Sequence, residues 1–371
     1  MRNHLLPITL MFSLQTLALA AGNQSPEPAW RNQGIFLSEA RLATLKKRVA
    51  QKVEPTYAAF QKLQKAADDQ LHQPPHVLSE WYVTGFYRDV KGHQKAKNGL
   101  ADDANGAYAL ALAYRMTDDS KYAAAAAALI NAWATGVQSM SRKDDSMLSF
   151  SYHFSAFIFA ADLIKSFPGW PNEQQAAFKE FVRTKAIGMN TMDRANNWGN
   201  WGLVLVLAGA AYLEDQALFD KGVARWKEFI EKQIADDGHL PHEVGRNGGV
   251  GEHGLWYSHF TLMPQTIAAE VARVNGADLY DYRSPGGHTL RAAFERLAPW
   301  ARDPQTFPYY KGKDPQGQKA TNYVSYWEIL NAHWPHPDAT AMLATMRPLS
   351  ATHSTPHLTF THGDLLRDEQ E

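Results

Sequence analysis

The sequence predicts an all-α protein, a single domain folded as an α/α barrel (toroid) of paired antiparallel helices. Three observations carry that expectation. From Leu37 to about Trp300 apolar residues keep helical spacing, as in Leu42, Leu45, Val49 and Val53. The helical stretches are joined mostly by short links of turn-forming residues. Several stretches are apolar on more than one face and must be buried nearly all round, as the inner ring of a toroid would be.

Residues 1–21 read as a secretory leader. Arg2 and His4 make a polar, positive start, Leu5 to Leu19 is apolar, and Ala18-Leu19-Ala20 supplies a small-x-small cleavage pattern. The remaining 22–371 would form the folded domain, with ample chain for a buried core. No second stretch reaches the ~18 apolar residues of a membrane span. The most apolar, Leu203 to Leu213, ends at Glu214. The expectation is a soluble monomer, periplasmic or secreted, with no membrane contact once the leader is removed.

Helices are expected in turn over Ala104–Met116, Lys121–Val137 (with six consecutive alanines), Met147–Ile164, Glu173–Ile187, Trp201–Leu213, Gln216–Ile234, Tyr257–Val274 and Thr289–Trp300. Breaks fall at Thr117-Asp118-Asp119, Phe167-Pro168-Gly169, Asp236-Asp237-Gly238 and Ser284-Pro285-Gly286-Gly287. No repeat of fixed period is visible, which argues against a regular solenoid. Residues 72–93 read as a loop broken by Pro74, Pro75, Gly85 and Gly92 and loaded with Trp81, Tyr82, Phe86 and Tyr87. Such a loop is expected to cover a cleft. Residues 335–371 are expected to be an irregular tail.

Charge nearly cancels, with 37 Lys and Arg against 38 Asp and Glu. That excludes the strongly basic footprint of a nucleic-acid binder, while a local basic cleft can still steer an anion. Lys91, His93, Lys95 and Lys97 form one basic cluster, and Arg142, Lys143 and Arg194 add to it. Cysteine is absent, so thiolate metal centres are excluded. The histidines lack an i, i+4 pair backed by a carboxylate, so no metal and no cofactor is expected. Eleven Trp, 15 Tyr and 17 Phe provide core and, in sugar-binding proteins, stacking platforms.

Two segments concentrate polar chemistry: Asn196-Asn197-Trp198-Gly199-Asn200-Trp201, and Leu240-Pro241-His242-Glu243 on through Arg246 to His253 and Tyr257. Amides, a guanidinium, imidazoles and a phenol bind a carboxylate and move a proton beside it. Eliminating a uronate linkage needs those groups. A base removes the proton on C5, next to the carboxylate, and the C4 oxygen leaves with a proton. Donors on the carboxylate let the enolate develop, a guanidinium grips it with two prongs, and a phenol near a cation can serve as base and then acid.

These islands, with Asp237 to Glu243, Trp256-Tyr257-Ser258-His259-Phe260, Asp102 to Tyr108 and Tyr326-Trp327-Glu328, resemble the alginate lyase family of polysaccharide lyases over roughly residues 80–333. The resemblance implies an α/α toroid acting on alginate or glucuronan. It implies that Asn197 or Asn196 neutralises the substrate carboxylate, that Arg246 supports this and lowers the phenol pKa, and that Tyr257 is acid and base. The family commonly has a histidine directly after the paired asparagines; here Trp198 stands there, and His153 and His253 are the candidates to supply the imidazole. Asn196, Trp198, Asn200, Trp201, Tyr82, Tyr87, Lys97, Trp256 and His242 are the expected substrate-binding residues.

The expected partner is therefore an acidic polysaccharide or oligosaccharide, with polymannuronate alginate preferred over glucuronan. Two other function classes remain at this stage. A glycoside hydrolase on the same barrel would need paired carboxylates, with Asp102, Asp103, Asp144, Asp145, Glu243 and Glu252 available. A non-catalytic sugar-binding protein would need none.

Overall fold

Helices form where the apolar spacing predicts them, and their ends follow local capping chemistry. In the computed structural model, residues 33–246, 253–312, 323–349 and 355–363 are described; the expected leader lies outside them. The chain opens with α1 (Glu39–Ala50) and α2 (Thr56–Gln70). A two-residue strand, β1 (Glu80–Trp81), leads to the long α3 (Val90–Thr117). Next come α4 (Ser120–Gly136) and β2 (Ser139–Met140), which pairs parallel to β1 with Glu80 opposite Ser139. Asp118 ends α3 in the left-handed region (φ 59°), and the Asp119 side chain caps α4, as expected of that turn.

The expected helix over 147–164 is two helices, α5 (Ser146–His153) and α6 (Ser155–Leu163), joined at Phe154. Then follow α7 (Asn172–Phe181), continued by a π-helical turn at Val182–Ala186, α8 (Asn197–Leu213), α9 (Gln216–Gln233), α10 (Pro241–Val244), α11 (Gly254–Val274) and α12 (Leu290–Arg302). The described residues end with α13 (Trp327–His333), α14 (Pro337–Met346) and α15 (Leu358–His362).

Burial sorts these helices into two layers. Gly106–Ala113 of α3, all of α6, Gly199–Ala211 of α8 and Ser258–Ala272 of α11 are buried on every side. In chain order each packs on the next, α3 on α6, α6 on α8 and α8 on α11, and together they form the inner wall of the toroid. The helices α2, α4, α9 and α12 bury one stripe only and pack outside. Each large aliphatic side chain of the inner wall contributes about 1.5–3 kcal/mol by leaving water.

Three expectations need correction. The C-terminal part is not irregular: α14 and α15 form within it, and α15 is fully buried. It packs on α2 and α13, with Phe360 against Phe60 (5.8 Å between centroids) and Arg41 donating to the Thr361 carbonyl at 3.1 Å. His362 Nε2 lies 3.2 Å from the buried Glu270 carboxylate of α11, tying the last helix to the inner wall. The loop expected over 72–93 is shorter, because α3 starts at Val90. Asp89 caps it by accepting from the Gly92 amide at 2.9 Å, and a Cβ on Gly92 would sit 2.1 Å from that carboxylate. Gly92 therefore serves the cap and not a break. Third, a minimal strand pair, β1 and β2, forms within the all-α architecture, where helices alone are expected. Among the described residues no helix is long and apolar enough to cross a membrane.

His259 of α11 is buried with its Nδ1 2.9 Å from the Tyr326 hydroxyl, and burial pushes its pKa down to about 3. The unfolded chain takes up a proton there near the ordinary 6.5, the folded chain only near 3. Stability should therefore fall as pH drops below that ordinary value, by up to about 1.4 kcal/mol per pH unit for this residue. Urea unfolding between neutral and mildly acidic pH should show that slope, and His259→Asn should reduce it; an equal slope in both proteins would refute the assignment.

Candidate active site

The first wall of the site is the N-terminal end of α8. Asn196 is its cap, with the side-chain oxygen accepting from the Trp198 amide at 3.2 Å. The loop before it doubles back over the helix, which only glycine permits at two positions. A Cβ on Gly199 would lie 2.0 Å from the Arg194 carbonyl, and one on Gly202 would lie 2.4 Å from the Thr191 and Met192 amides. Side chains of α9 hold the loop carbonyls: Arg225 donates to Met192, Asp193 and Arg194 at 3.0–3.1 Å, and Gln233 to Ala195 at 2.8 Å. The Arg194 guanidinium stacks on the Trp198 ring at 4.7 Å.

The second wall is built by α10 and α11. Gly254 lets α11 start against α10, since a Cβ there would be 2.2 Å from the Val244 carbonyl. His253, Trp256, Tyr257 and Phe260 recur at i, i+3, i+4 and i+7 and share one face. Trp256 stacks on Phe260 (5.5 Å, 8°) and meets Tyr323 edge-on. The residues 247–252, with Gly248, Gly249, Gly251 and Glu252, lie outside the described ones.

The third wall comes from α3, α5 and the segment after β1. Val83 and Trp81 bond to Ser146, and the Phe86 amide donates to Asp145 at 2.8 Å. His93 donates from Nδ1 to the Thr84 carbonyl at 2.9 Å, with Asp145 3.3 Å away. Lys97 is one turn further along α3, and burial lowers its pKa.

Together these walls enclose a cavity of about 740 Å³. Of the residues expected from sequence, Asn196, Asn197, Trp198, Arg246, His253, Trp256, Tyr257, Tyr87 and Lys97 line it. Behind the lining residues Asn197 and Arg246 sits a charge cluster. Glu243, 2% exposed, accepts from Asn197 Nδ2 at 3.1 Å, from Thr261 Oγ1 at 3.1 Å and from Arg246 Nε at 2.9 Å. The Arg246 guanidinium lies over the Tyr257 ring at 4.4 Å.

The expected lowering of the Tyr257 pKa does not occur. Burial raises it, Tyr87 and Glu243 add to that, and only Arg246 pulls it down; the balance leaves it pushed up to about 12. Desolvation of the phenolate outweighs a guanidinium whose charge Glu243 partly offsets.

Five expected residues do not reach the cavity. Asn200 turns toward α9 and donates to Gln233 at 2.9 Å. Trp201 lies one turn deeper than Asn197, beneath Tyr152 and Phe260. His153 is buried beside the Tyr152 ring, so the neighbouring phenol faces the cavity and the imidazole does not. Tyr82 bonds to Asp144 at 2.5 Å outside the lining, in a cluster with Arg88. His242 is exposed on α10. Conversely, Phe86, Leu148, Tyr152, Phe260 and Tyr323 line the cavity without having been singled out, as do His93, named only in a basic cluster, and Asp145, named only as a possible hydrolase carboxylate. The i, i+4 spacing of His93 and Lys97 was the available signal; it needed the helix to begin at Val90.

The alginate lyase family model matches residues 46–307. A polysaccharide lyase of Stenotrophomonas maltophilia is 31% identical over 172 residues, 44% of this chain and 50% of that protein. The chain thus matches about half the length of that curated relative. Among solved structures, alginate lyase A1-III from Sphingomonas species A1 superposes with a TM-score of 0.70 at 17% identity, covering 89% of this chain and 98% of the other. An alginate lyase from Bacteroides ovatus gives 0.65 at 21% identity, covering 89% and 99%. At those identities the likeness establishes the fold, the α/α toroid.

Gly202→Ala should destabilise the protein by about 1–3 kcal/mol, since the new methyl has backbone against it on the loop side. Gly188→Ala, where an added Cβ meets nothing within 4 Å, should change stability by less than about 0.5 kcal/mol. Urea unfolding of both variants compares them directly.

Proposed function

The chain belongs to the alginate lyase family, and we propose that it is a polysaccharide lyase that cleaves alginate, a 1,4-linked uronan, by β-elimination. The observation that supports this most is the convergence of Asn196, Asn197, Arg246 and Tyr257 on one cavity. In this reading the Asn197 amide and Arg246 bind the carboxylate of the sugar whose C5–H bond breaks. Their donors stabilise the negative charge that builds on that carboxylate as the proton leaves. The Tyr257 phenolate takes the C5 proton, the electron pair becomes the C4=C5 double bond, and the C4–O bond breaks. The phenol then returns the proton to the departing oxygen. Trp198, Trp256 and Tyr87 offer ring faces to neighbouring sugars, and Lys97 and His93 offer cationic or hydrogen-bonding contacts to further carboxylates.

A single phenol can do both transfers only where the C5 hydrogen and the C4 oxygen lie on one side of the ring. Mannuronate meets this condition, so polymannuronate is the preferred substrate. Glucuronan meets it too and differs only at C2, which makes it the second substrate to test. His253, on the same wall as Tyr257, is the candidate for the imidazole that the family commonly has at the position of Trp198. The expected leader implies action outside the cytoplasm, on polymer in the periplasm or beyond.

A hydrolase would need two carboxylates facing the bond. Among the described residues Asp145 alone brings a carboxylate to the cavity lining. Asp103 is buried against His76 and Trp133, Asp144 pairs with Arg88, and Glu243 is enclosed by its three donors. This counts against hydrolysis.

A panel of polymannuronate, polyguluronate and glucuronan, followed by the ultraviolet absorbance of the unsaturated uronate product, tests the reading. Tyr257→Phe should lose about 10²–10⁴-fold in kcat while its thermal unfolding stays unchanged; full activity in that variant sinks the proposal. Arg246→Ala and Asn197→Ala should each cost about 10²–10³-fold. Because the phenolate is the base, kcat/KM should rise as pH is raised from neutral into the alkaline range. Treatment with a chelator should leave the rate unchanged.

A further inference from the structure

We propose that Glu243 is a positioning residue of this site: its buried carboxylate aims the Asn197 amide and the Arg246 guanidinium at the substrate and balances the arginine's charge. The inference rests on the elimination reading above and deepens it. Glu243 itself is not on the cavity lining. It lies behind the residues that are, and it joins three elements: Asn197 opens α8, Thr261 belongs to α11, and Arg246 follows α10.

The geometry follows from what a carboxylate can do. It only accepts hydrogen bonds, so Asn197 must present its NH2 group to it and cannot turn its carbonyl there. That choice determines which atoms of the amide remain for a ligand, including the second N–H. Arg246 bonds through Nε, at the base of its fork, and the same contact sets the plane of the guanidinium over the Tyr257 ring. Thr261 supplies a third donor, so the carboxylate keeps its place without help from a ligand.

The charge matters as well as the aim. Around Tyr257 stand Tyr87 from the segment before α3, Arg246 and Glu243 from the α10 side, and His253 at the start of α11. His93 and Lys97 of α3, Asp145 and Tyr152 at α5, and Tyr323 complete the titratable lining. Burial does most to hold the phenol up, Tyr87 adds to it, and Glu243 works in the same direction against Arg246. Removing its charge while keeping its size would leave Arg246 uncompensated beside the phenol.

Two substitutions separate these roles. Glu243→Gln removes the charge and lets the side chain offer an NH2 to Asn197 or Arg246, where a donor is wrong. Its kcat should fall by at least tenfold with KM changed less than threefold. The midpoint of the Tyr257 phenol, read as the tyrosinate absorbance that Tyr257→Phe abolishes, should fall by about one pH unit. Glu243→Asp keeps the charge but draws the carboxylate back by one methylene; kcat should fall while the phenol midpoint stays in place. Loss of kcat in Glu243→Gln with an unmoved midpoint overturns the charge role, and wild-type kcat in Glu243→Asp overturns the positioning role. If the Gln variant does not fold, Glu243→Asp alone decides the positioning role, and the midpoint measured in Asn197→Ala and Thr261→Val, which leave Glu243 in place, should stay at its wild-type value; a fall like that expected for Glu243→Gln overturns the charge role. Activity surviving in Tyr257→Phe would instead overturn the elimination reading, leaving the Glu243 measurements to be judged separately.

Discussion

Helices that are buried on every side have no face left for chemistry, and this constraint shapes the whole site. The inner wall of the toroid spends its lateral surfaces on packing, so polar side chains can meet a ligand only at helix ends. The cavity lies where several such ends converge. Asn196 and Asn197 begin α8, His253, Trp256 and Tyr257 occupy the first turns of α11, His93 and Lys97 the early turns of α3, and Asp145 directly precedes α5. The positive ends of the peptide dipoles therefore gather around one space. Together with Arg246, Lys97 and Arg194 they favour an anion in a chain whose overall charge is close to zero.

That same burial sets a tension within the site. Enclosure that would strengthen each hydrogen bond to a bound anion also penalises the Tyr257 phenolate. Arg246 opposes the penalty from a stacked position, and Glu243 holds Arg246 there at the expense of part of its pull. Orientation and charge are thus exchanged against each other through one buried carboxylate. The carboxylate responsible is buried and is not among the residues that line the cavity.

Much of the site was legible because its residues carry unusual chemistry in short runs. Two adjacent amides before an apolar helix, and an arginine and a tyrosine beside glycines, have few structural reasons to occur together. The errors share a different origin. Asn200 and Trp201 sit within the same run as Asn197, but a helix rotates about 100° and rises 1.5 Å per residue. Three residues on, Asn200 faces α9; four on, Trp201 lies deeper on the same stripe, under aromatic cover. His153 and Tyr152 exchanged roles for the same reason, one step of rotation. His93 reads in the sequence only as one of a basic cluster, because Gly92 reads there as a break when it accommodates the Asp89 cap.

What the chain's sequence determined by itself was local and periodic: helices with their turns, an inner set apolar all round, and the chemical types needed to quiet a carboxylate beside a mobile proton. Those properties are written in spacing and composition, which near neighbours alone decide. Only the tertiary structure decided which rotation of each helix meets the cavity, that the last helix inserts beside α2 and reaches Glu270, and that Tyr257 pairs with Arg246 while the pair leans on Glu243. Burial and electrostatic balance depend on residues far apart in the chain. They come into being only when the ring of helices closes and water is excluded.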